Sequence, residues 1–337
     1  MCAKRIIITH FIIGKDPPLK TGAVWSMEKL SFMNAGNALK LTCVGFGGGV
    51  LLRTIQMLYY FDYQTGFYKD SGFMAWCSLI FALLTSLIAG IMCFCSRRYF
   101  GAYVPRKNNM LGVVAALSGA ALIASAALQA VDYQRFLKTG ASDYDSAERG
   151  VIHIAFLIAC FLFGAVQLFA AMGFFQGKNS FQKVPLLYLV AVVWGIAYLI
   201  LVYMFYAKSS SFVENFFAVF GGASTLLSLC YLCKLFAGVD EAAAAKRVFV
   251  GGIFSVVLTV TYSFSNLALL LLGKSYSGEI PFMFQLSSLG VSVYLLVFLM
   301  TYRKYSIHRP AKDREGEGTA EREEKSSPRR GRRFRPN

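Results

Sequence analysis

The chain predicts an all-α membrane protein, a bundle of eight transmembrane helices with both termini in the cytoplasm. Three observations carry this. Eight stretches of 21 to 25 mostly apolar residues recur along the 337 residues, and a run of about 20 such residues crosses the hydrocarbon core as a helix. Composition agrees, with 56% hydrophobic and 15% charged residues, where a soluble domain has about 45–50% and 25%. Mean hydropathy is +0.52. Finally, the charges sort by side of the membrane.

The stretches are taken in order. Leu41–Phe61 follows Lys40 and stops at Asp62. Phe73–Cys95 lies between Asp70 and the Arg97-Arg98 pair, and Leu111–Val131 between Lys107 and Asp132. Val151–Phe175 begins after Arg149 and ends before Lys178. Val184–Tyr206 is bracketed by Lys183 and Lys208. Phe212–Phe236 opens on a capping box, Ser211-Phe212-Val213-Glu214. Val248–Leu272 runs from Lys246-Arg247 to Lys274, and Phe282–Tyr302 ends at Arg303-Lys304. The domain organisation is therefore an N-terminal cytoplasmic or interfacial segment (1–40), a transmembrane domain (41–302) and a basic cytoplasmic tail (303–337).

Segments on the N-terminal side of this arrangement hold 27 basic and 10 acidic residues, and those on the other side 6 and 8. Lys and Arg accumulate in cytoplasmic loops, which places both termini in the cytoplasm and suggests the plasma membrane. The net charge of +16 is thus mostly topology. Because the excess lines one membrane face, no nucleic-acid partner is expected. The expected partners are the bilayer itself, anionic lipids at the tail, and a small-molecule or lipid ligand.

Met1–Ser26 starts like a signal peptide, with Lys4-Arg5 before Ile6–Gly14, but its apolar run is short and no small-residue cleavage site follows. A start at Met27 is the alternative. The tail alternates basic and acidic residues with Gly, Ser and Pro and reads as disordered. It ends in the polybasic Arg329–Arg335, suited to an anionic leaflet. None of the eight cysteines falls in a loop of the outer side, so no external disulfide framework is implied. Cys230-x-x-Cys233 reads as small apolar packing and not as a redox pair.

Arg53 is the one charged residue more than a turn from the end of any stretch. An ionisable residue inside a membrane span is by default a functional-site candidate. At 3.6 residues per turn, Gly45, Gly49, Arg53, Gln56 and Tyr60 form one stripe. Its Gly-x-x-x-Gly half admits a neighbouring helix closely, and its other half is polar. Arg53 lies eight residues before Phe61, about 12 Å below the exit at 1.5 Å per residue. Its structural alternative is pairing with a loop acid such as Asp62, or with helix carbonyls. At comparable depth lie Gln129 (with Ser125 one turn below), Tyr262 and Asn266 on a stripe with Ser255 and Thr259, and Gln285 with Ser288. The candidate ligand site is therefore Arg53, Gln56, Tyr60, Gln129, Tyr262, Asn266 and Gln285. It forms a polar pocket of the outer leaflet, with an arginine fit for carboxylate or phosphate.

Other chemistries find no support. Glu214 reads as a helix cap. No His, Asp or Glu pair has metal-ligand spacing, and neither a P-loop nor Gly-x-Ser-x-Gly is present. No catalytic residue, metal or cofactor is expected. Without a titratable residue deep in the bundle, proton coupling is not expected either. Asp62-Tyr63-Gln64 returns as Asp132-Tyr133-Gln134, and odd-numbered stretches begin near 41, 111, 184 and 248. Duplicated two-helix units would explain both observations.

The segment Leu51–Phe67 carries Arg53-x-x-Gln56, then Asp62-x-x-Thr65-Gly66. It resembles the end of the first span in multi-pass membrane proteins of anaerobic Gram-positive bacteria to which no function is assigned. The resemblance covers under a tenth of the chain. It implies that Arg53, Gln56, Asp62, Thr65 and Gly66 form a recurring unit, with Asp62–Gly66 as a turn at the helix exit.

The reading is a plasma-membrane protein, not an enzyme, that binds or moves a small anionic or zwitterionic ligand or lipid headgroup. The alternative is a non-catalytic structural or scaffold protein whose basic tail tethers lipids or partners.

Overall fold

The computed structural model describes residues 33–308, apart from 64, 66, 97–98, 140–149, 183, 207–211 and 275–279. The expected signal-like start, the start at Met27 and the disordered tail lie outside the described residues. Among the described residues, eight helical spans are long and apolar enough to cross a membrane. They are α1 (Ala35–Tyr59), α2 (Phe73–Phe94), α3 (Asn109–Thr139), α4 (Gly150–Gln176), the span Pro185–Met204 built around α5 (Leu189–Leu201), α6 (Phe212–Phe236), α7 (Glu241–Leu271) and α8 (Phe282–Ser306). A 3₁₀ turn, Pro185–Tyr188, leads into α5, and a π-helical turn, Val202–Tyr206, prolongs it. The chain is a polytopic membrane protein.

Several helices run beyond their expected ends, and two of them start early for a local reason. Helix α1 starts at Ala35 because the Asn34 side chain accepts from the amides of Gly36 and Asn37, at 2.8 and 3.0 Å, an N-cap. Helix α7 starts at Glu241 because Ala242–Ala245 are strong helix formers. It stops where Gly273 takes φ +68° and the Lys274 amide donates to the Leu269 carbonyl at 3.0 Å, as in a Schellman motif. Helix α3 continues to Thr139, so Asp132-Tyr133-Gln134 is helical. Asp62 and Tyr63 instead lie in the α1–α2 hairpin, closed by the Asp62 amide on the Phe67 carbonyl at 3.0 Å. The echoed Asp-Tyr pairs, Asp62-Tyr63 and Asp132-Tyr133, therefore adopt different structures, which weakens the case for duplicated units.

The two ends of the bundle can be told apart. β1 (Tyr99–Phe100), after α2, pairs antiparallel with β2 (Ile307–His308), after α8. A methyl group on Gly36, at the start of α1, would lie 2.5 Å from the Arg303 guanidinium near the end of α8. The beginning of the first span and the end of the last therefore share one end, the one rich in Lys and Arg. We call it the basic face, and the opposite end the far face.

Helix α7 contacts α1, α2, α6 and α8 and is the most buried of the eight. Glycines on α1 allow its approach: a methyl on Gly49 would sit 2.5 Å from Thr261 Oγ1, and one on Gly45 2.8 Å from Thr85 Oγ1 of α2. Gly119 of α3 and Gly164 of α4 cross with comparable closeness, each opposite the other's carbonyl at 2.9 Å. Small residues at such crossings let backbones pack where lipid supplies no hydrophobic drive. Along α7 the hydroxyls join helices: Ser255 meets Thr225 of α6 at 2.7 Å and Ser292 of α8 at 3.4 Å, and Ser265 donates to the Val50 carbonyl of α1. Large apolar side chains such as Leu51, Leu84, Ile88, Ile158 and Phe161 point outward, as lipid contact requires and water would penalise.

Candidate functional site: a buried charge pair near the far face

Arg53 sits on the inward side of α1, above the glycines that draw α7 close, and its side chain has no exposed surface. Its Nη2 lies 3.6 Å from Oε1 of Glu214 in the first turn of α6, and 3.5 Å from Oδ1 of Asn266 on α7. Two rings flank the guanidinium. The Tyr262 centroid is 4.8 Å from its central carbon and the Phe217 centroid 5.3 Å, both within cation–π range. Glu214 is itself buried and accepts from the Tyr68 hydroxyl at 3.2 Å. A tight charge-assisted bond measures about 2.7–2.9 Å, and both contacts of Arg53 Nη2 are longer.

Over the pair lies a small apolar cluster separate from the main core: Met57, Phe61 and Leu269, with Tyr63 and Tyr68 packed against them. The Phe61 ring meets those of Tyr63 and Tyr68 edge-on at 5.2 and 5.6 Å. The hairpin carrying these rings is held by the Tyr63 hydroxyl on the Met57 carbonyl and by the Thr65 hydroxyl on Asp62 Oδ2. This aromatic cap stands between Arg53 and the far face.

The structure brings together Arg53, Tyr262 and Asn266. Gln56 is fully buried one turn further along the same stripe. Among the described residues its side-chain amide donates to the Met57 sulfur at 3.6 Å, and its Oε1 lacks a hydrogen-bond partner, as does Asn266 Nδ2. The other three candidates lie elsewhere. Tyr60 is 38% exposed, because α1 ends at Tyr59 and the stripe ends with it. Gln129 bonds Ser125 at 3.2 Å and lies 3.9 Å from the Cys160 sulfur on α4, while Ser125 donates to the Met283 carbonyl of α8. Gln285 turns back to the Ile280 carbonyl. The partners of those two lie on α3, α4 and α8 and in the segment that leads into α8.

Glu214, Phe217 and Tyr68 were missed by sequence reasoning. Glu214 stood out only as a cap, and its capping partner Ser211 lies outside the described residues. The signal that was available is its position: an acid in the first turn of a span that begins at the far face, within reach of Arg53. The expected counter-ion was Asp62 or a carbonyl, and a carboxylate of α6 takes that place. Among the described residues no group of His, Cys, Asp and Glu could hold a metal ion, and Cys43, Cys77, Cys93, Cys95, Cys160, Cys230 and Cys233 are free thiols. No protein-family model matches the chain, and neither a curated protein nor a solved structure similar to it was found.

Proposed function

We propose that this membrane protein receives a small zwitterionic ligand, or a lipid headgroup of that charge, between Arg53 and Glu214, entering past the aromatic cap from the outer side of the plasma membrane. The observation that carries the reading is the charge pair itself, enclosed within a membrane bundle at 3.6 Å. A buried pair is rarely the most stable choice, since apolar residues of similar volume often serve as well or better. A role in recognition would account for its presence here. A simple anion would displace Glu214 from Arg53 and leave a carboxylate buried alone. A zwitterion avoids that cost, because its acid group takes Arg53 and its ammonium takes Glu214. Asn266 Nδ2 and Gln56 Oε1, buried without a hydrogen-bond partner among the described residues, favour such an exchange. Among the described residues no nucleophile with an adjacent base accompanies the pair, which favours binding or passage over catalysis.

The closed state of the cluster favours a second reading, in which the pair pins α1 to α6 in a structural protein. Thermal unfolding of the purified chain in detergent, with glycerophosphoethanolamine, glycerol phosphate or glycerol added, separates the two. The proposal expects the zwitterion to raise the melting temperature, by an increment worth about 2.7 kcal/mol at a hundred times its Kd, and expects no such rise in Arg53→Gln. Absence of any shift across the panel favours the structural reading.

A further inference from the structure

At the opposite end of the bundle, a groove of about 480 Å³ opens between α6 and α7 beside the end of α2. Its walls are apolar: Leu227 and Tyr231 from α6, Val250 and Phe254 from α7, Phe94 from α2. Two cations stand at one end, Lys246 and Arg247. Lys246 Nζ lies 4.4 Å from the Phe94 ring centroid, and Arg247 Cζ lies 5.3 Å from that of Tyr231. Lys234 approaches Tyr231 at 5.7 Å. Among the described residues no carboxylate forms an ion pair with any of the three. Asp240 does sit at the N-cap of α7 and Glu241 in its first turn, and the Glu241 carboxylate lies toward Gly238, 3.4 Å from where a methyl would be. Gly251 helps form the groove floor, where a methyl would meet Ser228 Oγ at 2.8 Å.

We infer that this groove holds one anionic phospholipid of the leaflet at the basic face, its phosphate at Lys246 and Arg247 and an acyl chain along Leu227 and Phe254. Three points select that occupant. The cations gather at one end, where the apolar span begins, so charge and apolar wall are arranged as in a lipid. From Lys246 to Phe254 the groove follows eight residues of helix, about 12 Å, which suits a chain descending from a headgroup. The cations are backed by aromatic faces, with no ion pair among the described residues, and an anionic leaflet attracts such basic residues. This site is separate from the polybasic tail and independent of the ligand proposed at Arg53.

Native mass spectrometry of the full chain in detergent tests it, with phosphatidylglycerol and phosphatidylcholine of equal chain length as probes. The wild type is expected to retain one phosphatidylglycerol in preference to phosphatidylcholine. Lys246→Gln with Arg247→Gln should reduce that retention roughly 10- to 30-fold. Leu227→Trp should reduce it as well with every charge in place, by filling the groove from a position already 54% exposed to lipid, so it decides the matter if the double variant does not fold. The tail is identical in all variants, and its share of lipid binding cancels in the comparison. Glycerol phosphate, which has the anion without the chains, should not compete. Unchanged retention in Leu227→Trp, or competition by glycerol phosphate as strong as by the lipid, would overturn the inference.

Discussion

Arg53 and Glu214 are each buried, with relative exposures of 0% and 3%, so each is the other's protection from an uncompensated charge in a medium of low dielectric. Removing one partner of a buried pair costs about 3–5 kcal/mol, whereas replacing both is often neutral. Arg53→Gln alone should therefore destabilise the protein by a few kcal/mol, as should Glu214→Gln. The double variant should recover most of the loss, because two amides can bond each other and Asn266. A double-mutant cycle read by thermal unfolding should give a coupling above roughly 1 kcal/mol. Additive losses would mean that the two side chains act separately. That Arg53 matters was legible from one sequence, since a lone arginine in an apolar run announces its own cost. Its partner was not, because Glu214 follows it by 161 positions and only the packing of α1, α6 and α7 makes them neighbours.

At the scale of the helix, the glycines of α1 divide into two kinds that their spacing already suggested. Gly45 and Gly49 face α2 and α7 with no room for a methyl group, while Gly47 has open space beside it. Gly49→Ala should force Thr261 aside and cost about 1–3 kcal/mol. Gly47→Ala, by restricting the unfolded chain and favouring helix, should add about 0.5–1 kcal/mol. Equal effects of the two substitutions would contradict the assigned face. The same pattern explains what sequence reasoning could and could not deliver. Depth along a span is countable in residues, and Asn266, counted to the level of Arg53, does lie 3.5 Å from its Nη2. Which helices stand side by side is not countable, so Gln129 and Gln285 were assigned to a site that their own neighbours, Ser125 and the Ile280 carbonyl, draw them away from. Helix ends follow local chemistry, and Tyr60 left the stripe because α1 stops one residue before it.

For the whole molecule, the eight spans and the sharing of one end by the first and last of them follow from composition and parity, and β1–β2 pairing joins chain segments at that end. Which compartment the basic face meets rests on its charge alone. Single cysteines at Ser146 and Ser277 in a background without other cysteines should react with an impermeant thiol reagent in intact cells, and one at Ser327 should not. Labelling at Ser327 would reverse the orientation, and with it the side from which a ligand approaches Arg53. The two proposed sites lie at opposite ends of the bundle, so lipid at Lys246 and ligand at Arg53 should bind additively unless α7, which carries residues of both, moves.

The most direct test of the charge-pair account is the ligand preference of Glu214→Gln. In the wild type, glycerophosphoethanolamine should bind more tightly than glycerol phosphate, because only the zwitterion leaves Glu214 with a partner. With Glu214 neutral that penalty disappears, and glycerol phosphate should bind Arg53 at least as tightly as the zwitterion. Equilibrium binding of both compounds to both proteins measures this. An inverted order in Glu214→Gln is the expected result, and an order unchanged by the substitution, or no binding of either compound to the wild type, would contradict it.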